Sequence, residues 1–167
     1  HPLLSKKIRR LTLESYREKR RDLDTYHADT PNRRWPDRPL RSLFPSRCHP
    51  PLYGMDMYGM LSESKISLNR HPDSALGSVG NMRMFEVTGM GSCLLTDKGS
   101  NLADLFEEDT EVVTYKSLEE CIEKIDYLLS HDEQRKQIAE SGQRRTLTRH
   151  TYASRCAEID EIIQEYL

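Results

Sequence analysis

No proline follows Pro72: all eight prolines of the 167-residue chain fall in its first 72 residues. Regular helix and strand are therefore unobstructed over the second half, while the first half is repeatedly interrupted. No apolar run approaches the ~20 residues a membrane-spanning helix needs. With 36% hydrophobic and 31% charged residues, the composition is that of a soluble, rather polar domain. The four cysteines, Cys48, Cys93, Cys121 and Cys156, lie far apart without a Cys-x-x-Cys pair, so a zinc-finger spacing is excluded. Cys93, Cys121 and Cys156 fall in apolar-patterned segments and read as reduced, buried thiols of a cytoplasmic protein. The first residues, His-Pro-Leu-Leu-Ser-Lys-Lys, contain neither an initiator Met nor an apolar signal core and read as a cut inside a longer protein.

Charge is nearly balanced overall, at −2, but unevenly spread. Residues 1–50 hold 13 Lys/Arg against 6 Asp/Glu, and residues 101–133 hold 2 against 11. A basic first third invites a nucleic-acid reading. Most of that charge, however, sits on one helix-like stretch and in a Pro-rich loop, with no interleaved aromatic platform. A solvated helix face, or a surface meeting an acidic neighbour, accounts for it better, and no nucleic-acid partner is expected.

Hydrophobic periodicity organises the chain. Residues 3–21 read as a helix, 23–27 as a short strand and 30–52 as an irregular Pro/Arg-rich segment, so 1–52 is a basic opening region of the domain that continues over 53–167. Residues 56–64 read as a helix and 65–69 as a strand. The regular part starts at residue 81: helix 81–89, strand 92–96, short helix 101–106, strand 111–115. Helix 117–129 follows, opened by a Ser117/Glu120 capping box, then helices 133–148 and 152–167, the last with Cys156, Ile159, Ile162 and Ile163 inward. Strands separated by helices imply an α/β fold, a Rossmann-like parallel sheet with flanking helices. The three strands are expected to be neighbours, with helices 117–129 and 152–167 packed on them.

Candidate binding residues gather at the predicted carboxyl ends of the strands, where open α/β sheets place ligands. Gly77-Ser-Val-Gly80 is a polar loop entering the helix that carries Arg83 and Glu86, and the N–H groups of such a helix start suit a phosphate. Asn81 is either an ordinary N-cap or a ligand contact. Asn69 and His71 follow one strand, and Thr96 and Asp97 end the next. His71 is as readily a plain loop residue, and Asp97 as readily a cap of the following helix. The plainer alternative for Glu86 and Arg83 is an ordinary ion pair three residues apart.

Six motifs in order resemble the carboxy-terminal domain of GT-B glycosyltransferases, nearest to the spore-maturation (CgeB) type of the "glycosyl transferases group 1" family. They are Ser64–Asn69, Asn81–Asp97, Glu111–Tyr115, Glu119–Cys121, Arg135–Gln143 and His150–Arg155, about two thirds of the chain, and residues 1–52 match weakly. The resemblance implies the C-terminal half of a GT-B fold that binds a nucleotide-sugar donor, with no further cofactor and no metal. The acceptor, of unknown identity, would be bound by an N-terminal domain, which would also carry any general base. Glu86 stands where the family's ribose-binding Glu stands. Arg83 and the loop through Gly80 would hold the diphosphate, and Asn69, His71, Asn81, Thr96 and Asp97 would complete the donor site. A second family Glu, eight residues earlier, is Ser78 here. Asn69, Arg83, Glu86 and Thr96 are thus expected to converge in one cleft. A non-catalytic scaffold of the same shape is the alternative.

Overall fold

The computed structural model describes residues 39–166. The helix expected over 3–21 and the strand over 23–27 lie outside them. The described residues divide into two units, 39–51 with 73–76, and 52–72 with 77–166. Of the first, the described part holds a one-turn helix, α1 (Leu40–Leu43), continued by a turn in which the Arg47 and Cys48 amides donate to the Phe44 carbonyl. A 3-10 turn, Asp73–Ala75, completes it.

The second unit is an α/β domain with a three-stranded, all-parallel sheet. Its elements run α2 (Gly54–Glu63), β1 (Ile66–Asn69), α3 (Met82–Gly89), β2 (Cys93–Asp97), α4 (Leu102–Leu105), β3 (Val113–Tyr115), α5 (Leu118–Ser130), α6 (Asp132–Arg149) and α7 (Tyr152–Glu165). Strand order is β1-β2-β3, with Ile66 beside Cys93, Asn69 beside Thr96, and Asp97 beside Tyr115. The central strand is apolar on both faces, as a parallel strand covered by helices must be. Leu94 points into a cluster with Leu61, Met84, Val87, Leu102 and Phe106. Cys93 and Leu95 point the other way, against Val113, Cys121, Leu128 and Ile138. Burial pushes the Cys93 thiol up to about 11, against a smaller opposing effect of Arg135, so it stays protonated at neutral pH.

Local signals set most boundaries. α3 ends in a full Schellman arrangement: the Ser92 amide donates to Val87 O at 3.2 Å and the Gly91 amide to Thr88 O at 2.9 Å. Gly91 adopts φ +77°, where a side chain would be strained. Ser117 caps α5 by accepting from the Glu120 amide, while the Glu120 carboxylate reaches back to the Lys116 amide at 2.8 Å, one residue beyond the usual box. The Arg135–Gln143 motif proves to be packing chemistry. Buried Arg135 donates to Leu128 O at 2.9 Å and pairs with Asp132. Gly142 has no room for a side chain because the Glu111 carbonyl and Thr88 lie against it. Next to it, Gln143 donates to Gly89 O and Thr146 meets Thr88 at 2.6 Å, which ties α6 to α3.

Two expectations need correcting. Cys156 is exposed and not buried. Ile159, Ile162 and Ile163 are about half exposed, because α7 packs mainly on α6 and not on the sheet, and no described residue buries its apolar stripe. α5 does pack on β3 as expected. The His150 corner is structural as well: Thr151 caps α7, accepting from the Ser154 amide. The His150 ring lies 5.0 Å from Phe85 and 5.1 Å from Phe106. Its Nε2 donates to Leu105 O at 2.8 Å, and Nδ1 accepts from Arg155 at 2.9 Å.

Two measurements check this packing. Gly142→Ala gains helix propensity but drives a methyl into the Glu111 carbonyl, and should lose about 1–3 kcal/mol in chemical denaturation. Gly59→Ala, in α2 with open space around it, should gain up to ~1 kcal/mol. Burial holds the His150 imidazole below its usual pKa. The folded state therefore favours the neutral ring, and stability is complete above about pH 6.5 and falls as the pH drops below that toward the folded value. His150→Gln should flatten the stability–pH curve between about pH 6.5 and pH 5, above the range where most carboxylates titrate.

Candidate functional site

β1 and β2 end side by side, and that register brings five of the eight candidate residues into one buried polar network. Asn69, opposite Thr96, donates through Nδ2 to Thr96 Oγ1 at 3.2 Å and to Asn81 Oδ1 at 3.2 Å, while Asn81 Nδ2 donates back to Asn69 Oδ1 at 3.1 Å. Asn81 is also the N-cap of α3, accepting from the Met84 amide at 3.2 Å. Thr96 donates on to Asp97 Oδ1 at 3.2 Å. Asn69 and Thr96 are buried, and every polar atom named here has a partner, as burial demands.

His71 joins this network to the loop. Its backbone amide and its Nδ1 both meet Asp97 Oδ1, at 2.9 and 2.8 Å. Two backbone amides, of Gly80 at 3.0 Å and Asn81 at 3.3 Å, donate to its Nε2. Amides can only donate, so Nε2 is an acceptor and the ring proton sits on Nδ1, facing Asp97. The ring is buried and works as a bracket between the end of β2 and the start of α3. Asp97 therefore does not cap α4; it orients His71. Gly80, at φ +135°, takes a backbone conformation that suits glycine.

Arg83 and Glu86 lie apart from this network, on the side of α3 that meets α2. They form the i, i+3 ion pair, Nη1 to Oε2 at 3.1 Å. Tyr58 donates to Glu86 Oε1 at 3.4 Å, and Arg83 Nη1 lies 2.9 Å from Met57 Sδ. The Glu86 side chain keeps 17% of its surface in solvent and Arg83 41%. The expected convergence of Asn69 and Thr96 with Arg83 and Glu86 is thus split into a largely buried network and a partly open pair, joined through α3. A cavity of about 530 Å³ between Lys98, Phe106 and Arg145 and one of about 460 Å³ beside Tyr127 are lined by none of the eight residues.

Sequence reasoning missed three participants. Tyr115, at the end of β3, donates to Asn69 O at 2.9 Å; burial, and then Asp97, raise its pKa and keep it a donor. Asn101 binds the backbone of Val79 from both ends of its amide, and Tyr58 supports Glu86. Each partner lies more than 20 residues away in sequence, and only the tertiary fold could have paired them.

The domain is a parallel α/β sheet with a braced loop and helix start at the carboxyl ends of its strands, the edge at which open α/β sheets place ligands. A glycosyl transferase-like family model matches residues 7–161. The chain belongs to this family and shares its general function of glycosyl transfer. The match includes the basic opening segment that the motifs alone matched weakly. No curated protein and no solved structure matches the chain. Among the described residues no group of three or more His, Cys, Asp or Glu could hold a metal ion, and no helix is long and apolar enough to cross a membrane.

The bracket is open to a direct test. His71→Ala removes the acceptor of the Gly80 and Asn81 amides, a loss of about 1–1.5 kcal/mol at each. Their hydrogen exchange, followed by NMR, should speed up about tenfold relative to amides in β2.

Proposed function

We propose that this chain is the donor-binding domain of a GT-B-type glycosyltransferase. It would hold a nucleoside-diphosphate sugar for transfer to an acceptor bound by a partner domain of the same protein. The observation that carries this reading is the pairing of Glu86 with Arg83 on α3, just beyond a loop fixed at the carboxyl ends of a parallel sheet. Glu86 is held by Tyr58 and Arg83 yet keeps solvent access, so its carboxylate can accept from two adjacent ribose hydroxyls. The Gly80 and Asn81 amides already serve His71. The amides left for a diphosphate are those of Met82 and Arg83 in the first turn, which have no acceptor within the helix.

In the transfer step the bond between the anomeric carbon and the diphosphate oxygen breaks as an acceptor oxygen attacks. The electron pair stays on the departing nucleoside diphosphate, and the acceptor's proton passes to a base outside the residues assigned here. Charge grows on the leaving group, so Arg83 and the α3 N-terminus act most strongly in the transition state. The Arg83 guanidinium can turn from Met57 toward the phosphates because it is partly exposed. Asn69, His71, Gly80, Asn81, Thr96 and Asp97 complete the proposed site, chiefly by shaping the loop. The transfer is proposed to be metal-independent; the single Asp-x-Asp spacing, Asp22-Leu-Asp24, lies outside the described residues. Ser78, in place of the family's second Glu, favours a second reading, a binding domain of the same shape without turnover.

In the full-length protein, Glu86→Gln should weaken donor binding about ten- to a hundredfold, through lost charge-assisted bonds of about 1.5–3 kcal/mol. Arg83→Ala should lower turnover more than affinity. Titration calorimetry and initial rates decide between the readings: unchanged binding in the first variant with unchanged turnover in the second would return both residues to an ordinary surface pair. Nucleotide binding without any turnover in the intact wild type would favour the scaffold.

A further inference from the structure

The loop that leads into α3 is built against a template supplied by the segment directly after β2. Val79 lies at its centre. Its N–H donates to Asn101 Oδ1 at 2.8 Å, and its C=O accepts from Asn101 Nδ2 at 2.8 Å. One side-chain amide thus pairs with both backbone groups of one residue, as a neighbouring strand would. Two residues earlier, Gly77 O accepts from the Ser100 amide at 2.9 Å. The Val79 side chain is buried directly over Gly99, where a methyl group would collide with it. The loop needs this support because Gly77 and Gly80, at φ +77° and +135°, leave its own backbone few preferences. Asn101 opens α4 but makes no side-chain cap there, so its amide is wholly engaged with the loop.

We infer that Asn101, seated by Gly99, is a positioning residue that presets the 77–81 loop, and with it the first-turn amides of α3, in the conformation that accepts the donor's diphosphate. The inference rests on the donor-binding reading above and extends it to residues that touch no donor. A loop ordered before the ligand arrives avoids the entropy cost of ordering on binding, so loosening it should appear as lost affinity.

The test compares three variants of the full-length protein by titration calorimetry against UDP, GDP, ADP and TDP, well below the unfolding temperature of each. Asn101→Asp keeps the shape and the acceptor oxygen but replaces the donor to Val79 O with a second acceptor. Gly99→Ala displaces Val79 without touching Asn101. Thr146→Val removes the Thr88 hydrogen bond far from the loop and serves as the control for stability alone. Asn101→Asp and Gly99→Ala should each weaken the tightest nucleotide at least tenfold, while Thr146→Val, though melting lower, stays within about twofold of wild type. Wild-type affinity in both folded loop variants would overturn the inference, as would equal weakening in Thr146→Val. Failure of both loop variants to fold would assign the clamp to fold stability alone and overturn it too. A wild type that binds none of the four nucleotides would instead overturn the donor reading, and this inference with it.

Discussion

The imidazole of His71 is the joint on which the strand-end side of the domain depends. It has Asp97 on one nitrogen and the amides of Gly80 and Asn81 on the other, which locks the end of β2 to the start of α3. Without it, two backbone donors and a carboxylate would be left in a poorly solvated corner, each costing about 1–3 kcal/mol. Asn69, Asn81 and Thr96 extend the joint sideways, and Tyr115 closes it from β3. The result is a polar layer in which each group fixes its neighbour, and such layers are rigid only when fully satisfied.

That rigidity has a functional consequence. A sugar-nucleotide site needs donors aimed at a diphosphate before it arrives, since preorganised dipoles need no reorientation during bond breaking. In this domain the polar layer and the Asn101 clamp would supply the preorganisation, while the Glu86–Arg83 pair, less buried and able to exchange partners, would meet the ligand. Buried residues would then set geometry and partly open ones would carry the contacts. Thr96, Asn69 and His71 fit the first role better than the second, as each is buried and fully hydrogen-bonded within the protein.

The sheet and its direction were legible in the sequence because local signals agreed with the global pattern. Strand β2 follows Gly-x-Gly, runs through the apolar Cys93-Leu94-Leu95 and ends in Thr96-Asp97; Ser117 marks the start of α5, and Asn81 the start of α3. Boundaries fell within a residue or two in most elements, with β3 shorter than expected. The grouping of the candidate residues was only half legible. Proximity to strand ends put the right residues at the right edge of the sheet, but hydrogen-bond partners there follow from register, and nothing local pairs Asn69 with Thr96 or Asn101 with Val79. The inward face given to α7 failed for a related reason. An amphipathic stripe says which side of a helix is apolar, not whether anything lies against it. The Arg135–Gln143 and His150–Arg155 motifs proved to pack the domain together.

The tautomer of His71 tests the central joint most directly. A long-range ¹H–¹⁵N correlation spectrum of the protein at neutral pH reads which ring nitrogen carries the proton. The account predicts a neutral ring protonated on Nδ1, with a bare Nε2 receiving the Gly80 and Asn81 amides. An Nε2-protonated ring, or a doubly protonated imidazolium under the same conditions, could not accept those amides and would contradict it.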